Sequence, residues 1–430
     1  MTTTETSVQQ AFAAVDANEA YLITALQELV AVDTTVPPGR NYDTLATVAE
    51  GYFHALGFET ERVVIPDELI KAIPLPLDGP RVNLLARRSW GAGDMASIYA
   101  HTDVVPIEEP WTLAAPFGGE VKDGKLYGRG STDMKGSIAA LLTALKVIND
   151  LGLTPHYDVQ AMLCTDEEIG VYPGVWHLAK EGYVTPHVVW LEAGGQNPTV
   201  MAASAGAMDV TVTVHGRSGH SGMNFLSINA IEEMVPILNE LLVLKKTVEA
   251  RRSRFPLPPM QVPEGVIIPD AMSPMFNLSI IKAGAKSNIV PGVATLTINR
   301  RFIPEEDADE VEREIREAIT RGAAGTRAVK VDVDVMRVYP AGVVDADGPR
   351  MTKMKAAVGA VKDYPEDIWI AVGVSGSTDR ANVSQEMGIT DIASFGTMTT
   401  ENRTAHGANE YVEVQTLKDL TKEILHYLVF

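Results

Sequence analysis

A chain of 430 residues exceeds what one hydrophobic core can organise and implies two domains or three. Hydrophobic residues at 46% and charged residues at 21% are ordinary for a globular protein, and 36 basic against 56 acidic side chains leave a formal charge of −20. Such a surface repels phosphate backbones, which argues against a nucleic-acid partner. No apolar run approaches the roughly 18 residues of a membrane span, so no membrane partner is expected either.

The N-terminal Met1-Thr-Thr-Thr-Glu-Thr-Ser7 has no basic stretch followed by an apolar core, and no signal peptide is expected. Apolar positions at helical spacing over 7–32 predict a helix, closed by Pro37-Pro38-Gly39, with a second helix over Tyr42–Leu56. Thr60–Ile65 and Arg81–Arg87 read as strands on either side of a proline-rich surface loop, Pro66–Pro80. Ser97–Ala100 is a short apolar strand ending at His101. A helix over Lys135–Asn149 follows, then a strand Val159–Cys164 ending at Asp166-Glu167-Glu168. A helix over Gly174–Glu181 leads to a strand His187–Leu191 ending at Glu192. Strands alternating with helices predict an α/β catalytic domain on a mostly parallel sheet covered by helices. The single cysteine, Cys164, excludes an intramolecular disulfide and fits a reducing cytoplasm. Its place in an apolar strand without a flanking histidine makes it structural.

The pattern changes after Ala205-Gly206. Strand Met208–Val214, helix Ser227–Lys245, strands Phe276–Ile281 and Ala294–Arg301, helix Glu305–Arg321 and strand Val329–Val338 give the order β-α-β-β-α-β of a small α+β sandwich. It is expected as an inserted domain over 206–339, with 1–205 and 340–430 forming the two parts of the catalytic domain. The proline-rich loops 66–80 and 251–274 carry no chemistry that the sequence reveals. From Met351 the α/β pattern resumes with a helix, a strand Ile368–Val372, a glycine-serine loop, a further helix, a strand Ile392–Phe395 and a closing helix Leu417–Leu428.

Five polar residues stand where apolar runs end or beside glycine: His101, Asp133, Glu168, Glu192 and His406. Residues i and i+2 of an extended chain project to the same side, so Asp103 could accept the far ring N–H of His101 and fix its tautomer. Asp133 follows Gly128 and Gly130 and precedes a helix. By itself it could equally be a helix cap. Glu167 and Glu168 are adjacent carboxylates after an apolar strand, an arrangement that gains nothing unless a cation is near. One can ligate a metal while its neighbour takes a proton from water, whose pKa a metal lowers to about 7. These positions together predict a metal-dependent hydrolase.

The sequence resembles the M20 family of dinuclear metallo-amidohydrolases and peptidases, which includes acetylornithine deacetylase, succinyl-diaminopimelate desuccinylase, aminoacylase and glutamate carboxypeptidase. The matching stretches are Tyr99-Ala-His-Thr-Asp-Val-Val-Pro106, Trp111 with Pro116-Phe117, and Leu126-Tyr-Gly-Arg-Gly-Ser-Thr-Asp-Met-Lys-Gly136. They continue with Asp166-Glu-Glu-Ile-Gly170, Gly219-His-Ser221, Ser287-Asn-Ile-Val-Pro-Gly292, Gly376-Ser-Thr-Asp379, and His406 with Glu410. The resemblance implies two divalent ions, zinc first, with manganese or cobalt as alternatives. Asp133 would bridge them, His101 and Glu192 would complete one site, and Glu168 and His406 the other. Glu167 would be the general base and Asp103 would orient His101. His220 would stabilise the oxyanion at the neighbouring subunit's site, which implies a homodimer formed through the inserted domain. Asn288 and Arg301 would hold a substrate carboxylate or assist at the carbonyl, and Arg380 would lie on a loop facing the substrate. Arg301 is preferred to Arg300 because it stands three residues before Pro304.

The chain departs from the family pattern at Ala-Gly-Gly after Glu192, where relatives often have proline, and at Gly219-His-Ser-Gly-Met-Asn224. Both bear on the shape of the pocket. The expected reaction is hydrolysis of an amide in a small carboxylate-bearing molecule such as an N-acyl amino acid or short peptide, by metal-activated water. Two alternatives are an aminohydrolase acting on an unusual, for example aromatic, C–N bond, and a catalytically silent binding protein.

Overall fold

The computed structural model describes residues 7–192, 198–259, 265–266, 268–398 and 404–430. The N-terminal residues 1–6 and the Ala-Gly-Gly after Glu192 therefore lie outside the described residues. Two units emerge. One comprises Met1–Met201, Val344–Ala371 and Val383–Phe430, and the other Ala202–Val343 and Val372–Asn382.

The strand Met95–His101 is central to the first unit. Its residues from Ala96 to His101 are all buried, as a strand covered on both sides requires. It pairs in parallel with Asp158–Cys164 on one side and His187–Trp190 on the other. Val82–Arg88 and then Glu59–Val64 extend the sheet antiparallel at one edge, and Ala393–Ser394 adds a parallel strand at the other. Parallel pairing sets strand ends level. The register His101 with Cys164, and Tyr99 with Trp190, therefore brings His101, the 166–168 turn and Glu192 to the same edge. The helix Lys135–Asp150 is buried on nearly every face, against helices Glu19–Val30 and Val414–Val429. Each of its leucines (Leu141, Leu142, Leu145) contributes about 2 kcal/mol of burial.

The second unit is built on a four-stranded antiparallel sheet in the order Met275–Ala283, Val293–Phe302, Gly206–His215, Lys330–Tyr339. Val210, Val212 and Val214 are buried while the residues between them are only partly so, the period-two pattern of a strand with one covered face. Helices Ala230–Glu249 and Ala308–Ala324 pack together over a core that includes Met234, Ile237, Leu241, Val311 and Ile315. Gly322 permits their close approach, since a Cβ there would meet the Ile237 Cα at 2.5 Å. The chain order is the expected β-α-β-β-α-β.

Several expectations need correction. The N-terminal helix is two helices, Val8–Ala17 and Glu19–Val30, interrupted at Asn18. The apolar spacing persists across the break, but the Asn18 amide bonds back to the Ala14 carbonyl (2.9 Å), a local bond that ends the first helix. The loop 66–80 contains a short helix, Asp67–Lys71. The predicted strand 368–372 forms over Ile370–Val374, and it joins Thr199–Ser204 and Gly342–Val343 in a separate three-stranded sheet instead of the six-stranded one. The compact unit Ala202–Val343 with Val372–Asn382 includes the span 206–339 expected as the inserted domain. The loop after Arg251 is tied down by that arginine, which pairs with Glu306 (2.6 Å) and Glu314 (2.7 Å). Among the described residues, no helix is long and apolar enough to cross a membrane.

Candidate metal centre

Asp133 is placed by a loop that folds around another carboxylate. Glu410 accepts hydrogen bonds from the main-chain N–H groups of Gly130 (3.1 Å), Thr132 (3.0 Å) and Asp133 (3.2 Å), and pairs with Arg129 Nη1 at 2.6 Å. Gly130 has φ +84°, a conformation costly for other residues. Arg129 also donates to the His406 carbonyl (3.1 Å). The strand pair Lys125–Tyr127 and Tyr411–Glu413 joins the two segments, so Glu410 and Arg129 fix Asp133 and His406 together.

The Asp133 carboxylate divides between two imidazoles. Its Oδ1 is 3.1 Å from His101 Nε2 and its Oδ2 is 3.2 Å from His406 Nε2. Glu168 Oε2 lies 3.2 Å from the same His406 nitrogen. Ligand atoms of His101, Asp133 and Glu168 lie within 4.8 Å of one another, as do those of His101, Glu167 and Glu192. The structure thus brings all five expected ligands and Glu167 into one cluster, with His101 common to both trios. The far nitrogen of His101 is 3.1 Å from the Asp103 main-chain oxygen and 3.6 Å from its carboxylate. The main chain is therefore the nearer acceptor, a correction to the expectation from side-chain alternation. The Asp103 carboxylate accepts from the Glu168 N–H at 2.9 Å and so steadies that residue. Glu192 accepts from the Trp190 indole (3.0 Å), whose ring stacks on Tyr99.

Electrostatically the cluster calls for positive charge. Burial pushes Glu168 up to about 7, aided by the charge on Asp133. For His101, burial works against the charged ring, yet the hydrogen bond to Asp133 and the charges of Asp103, Asp133 and Glu167 carry it well above the ordinary range. Hydrogen bonds to Asp133 and Glu168 push His406 up to about 10. Glu168 Oε1 is buried without a hydrogen-bond partner. Imidazole and carboxylate donors sharing a central aspartate, with a buried carboxylate oxygen to satisfy, fit two divalent cations.

The remaining expected residues lie in the second unit. His220 pairs across a short ladder with Ile289, and the Ser221 N–H donates to the Asn288 carbonyl (3.1 Å). His220 and Asn288 line one cavity of about 390 Å³ with Ser218 and Lys286. Arg301 donates to Ser377 (2.8 Å), on the loop that leads to Arg380. Arg300 is instead fully buried and paired with Glu306 at 2.6 Å, the opposite side of the same strand.

Glu410 and Arg129 both stand in the matching stretches, yet nothing local in either segment assigns them a role. Glu410→Gln should lower affinity for the ions about 10- to 100-fold, because it loosens the loop that aims Asp133. Metal titration of the apoprotein checks this, and unchanged affinity would mean the loop holds itself.

A model of peptidase family M20/M25/M40 matches residues 97–429. The chain is 29% identical over 395 residues to a succinyl-diaminopimelate desuccinylase of Gluconobacter oxydans, covering 89% of this chain and 90% of that protein. It is 30% identical over 278 residues to an acetylornithine deacetylase of Pectobacterium carotovorum, 64% of this chain and 65% of the relative. A dinuclear metal-binding M20 peptidase of Bacillus subtilis shares the fold with a TM-score of 0.64 at 14% identity, over 96% of this chain and 98% of that one.

Proposed function

We propose, for a chain that belongs to peptidase family M20/M25/M40 and is a metal-dependent amide hydrolase, that the substrate is an N-acyl amino acid or short peptide with a carboxylate near the scissile bond. The observation that carries this is the cluster in which Glu167 joins His101 and Glu192 in one trio while His101 also joins Asp133 and Glu168 in the other. Two divalent ions bound there would polarise the carbonyl and lower the pKa of water. The chain's own part is positional. Asp133 holds His101 and His406 on its two oxygens, and Asp103 steadies Glu168 through its N–H. Glu167, nearly buried, takes the proton from the attacking water and delivers it to the leaving nitrogen. Zinc is the proposed metal, with manganese and cobalt the alternatives that such a donor set accepts.

Arg301 and Asn288 are proposed to hold the substrate carboxylate or assist at the carbonyl, and Arg380, buried in this structure, to follow a loop that faces the substrate. Such arginines would offset locally the overall charge of −20, which also disfavours nucleic acid. A homodimer through the second unit is supported by its exposed apolar features. The edge strand Met275–Ala283 presents Ile280 and Ile281, and helix Ala230–Glu249 presents Ile231, Val235, Leu242 and Val243. A cytoplasmic location is supported by the single, buried, reduced cysteine.

The test is a panel of N-acetyl and N-succinyl amino acids and dipeptides, assayed for the acid and the amine released. Chelation should abolish turnover while circular dichroism stays native, since cores of this size do not depend on metal for folding, and divalent metal should restore it. Ammonia as the sole nitrogen product would favour the aminohydrolase reading, and turnover indifferent to chelation would sink the metal-dependent one.

A further inference from the structure

A buried constellation behind the two glutamates takes no part in the chemistry described so far. Asp166 immediately precedes Glu167, is fully buried and has left-handed backbone, φ +65°. Its Oδ1 accepts from the Tyr42 hydroxyl at 3.0 Å, and its Oδ2 lies 3.4 Å from Arg81 Nε. Tyr42 and Arg81 are each 1% exposed, and the guanidinium lies 5.6 Å from the Tyr42 ring centre. The Nη groups of Arg81 donate to the carbonyls of Pro38, Gly39, Asp78 and Gly79, at 2.8 to 3.2 Å. The cation is thus clamped by main chain from two loops, with its Nε edge toward Asp166.

Burying an arginine and a carboxylate together is a poor way to gain stability, because apolar side chains of similar volume often do as well or better. A left-handed aspartate is likewise disfavoured unless its surroundings hold it there, and such residues gather at functional turns. Both unfavourable features converge on the residue whose backbone sets the direction of the Glu167-Glu168 turn. Glu168 has further anchors, from its N–H to Asp103 and from its carboxylate to His406. Glu167 is joined to Asp166 by a single peptide bond, so a change in the Asp166 backbone reaches it directly.

We propose that Tyr42 and Arg81 are positioning residues for the reaction: by fixing the Asp166 carboxylate they hold the left-handed turn that aims Glu167 for proton transfer. This rests on Glu167 being the proton carrier, as set out above. Both residues are buried and both face the Asp166 carboxylate, so their influence runs through that one side chain.

The experiment uses the metal-loaded enzyme and the panel substrate it turns over fastest. Tyr42→Phe keeps the ring and removes only the hydroxyl. It should lower kcat about tenfold or more, leave KM within about twofold and keep both ions, since misplacing a reacting group costs far more than its distance suggests. A double-mutant cycle supplies the readout that a structural role would not move. On a Glu167→Gln background, assayed at high enzyme concentration, Tyr42→Phe should leave the residual rate unchanged. Arg81→Lys, which keeps the charge and loses the fork, should behave the same way if it folds, and Tyr42→Phe stands alone if it does not. An unchanged kcat in Tyr42→Phe, or the same fractional loss on both backgrounds, would overturn the proposal. Near-normal turnover by Glu167→Gln alone would overturn the reading of Glu167 and this proposal with it. That outcome is recognisable because it needs no Tyr42 variant.

Discussion

Replacing Glu167 by glutamine should lower kcat by on the order of 10²-fold or more while both ions stay bound. The substitution preserves volume and a hydrogen-bonding oxygen but removes the group that can accept a proton. The geometry makes metal content the deciding measurement. Ligand atoms of Glu167, His101 and Glu192 lie within 4.8 Å of one another, so by distance alone Glu167 could be a ligand as readily as a base. If it is a base, elemental analysis of the dialysed variant finds the wild-type complement of metal beside a collapsed kcat. If it is a ligand, metal and activity fall together, and metal in excess restores part of the rate.

How much of this was legible in the sequence depended on the distance over which each residue acts. His101, Glu168 and Glu192 could be found because each ends an apolar strand, and parallel strands bring their ends to one edge whatever lies between them. The trios that share His101 follow from that rule and from the placement of Asp133. The device that places Asp133 was not legible. Arg129 and Glu410 stand 281 residues apart, and a buried ion pair leaves no periodic trace in either segment. Tyr42 and Asp166 are 124 residues apart and escaped for the same reason. Short strands were missed where two or three residues give too little alternation to read, as at Lys125–Tyr127 and Tyr411–Glu413. The break at Asn18 was hidden because helical spacing continues through it, and the bond that ends the helix is made by one side chain.

His220→Ala should lower kcat about 10²- to 10³-fold with both ions retained, the loss typical of removing one donor to a developing oxyanion. The local geometry supports a donor role. His220 Nδ1 accepts from the Gly222 N–H at 3.1 Å, so in the neutral ring the proton sits on Nε2, the nitrogen free to donate. Every proposed ligand belongs to the first unit and His220 to the second, which makes the subunit it serves a separate question from whether it serves at all. Mixing His220→Ala with Glu167→Gln answers it. In a mixed dimer one site has neither an intact Glu167 nor a partner with His220. The other combines an intact Glu167 with the His220 of the partner subunit, if the loop crosses the two-fold axis. Such a dimer should then recover up to about half the activity of a wild-type dimer, from two variants each nearly inactive. Verified mixed dimers with no recovery would mean that His220 acts within its own chain. Near-normal activity of His220→Ala alone would reduce it to a solvated loop residue, and the second ion would be left as the oxyanion's partner.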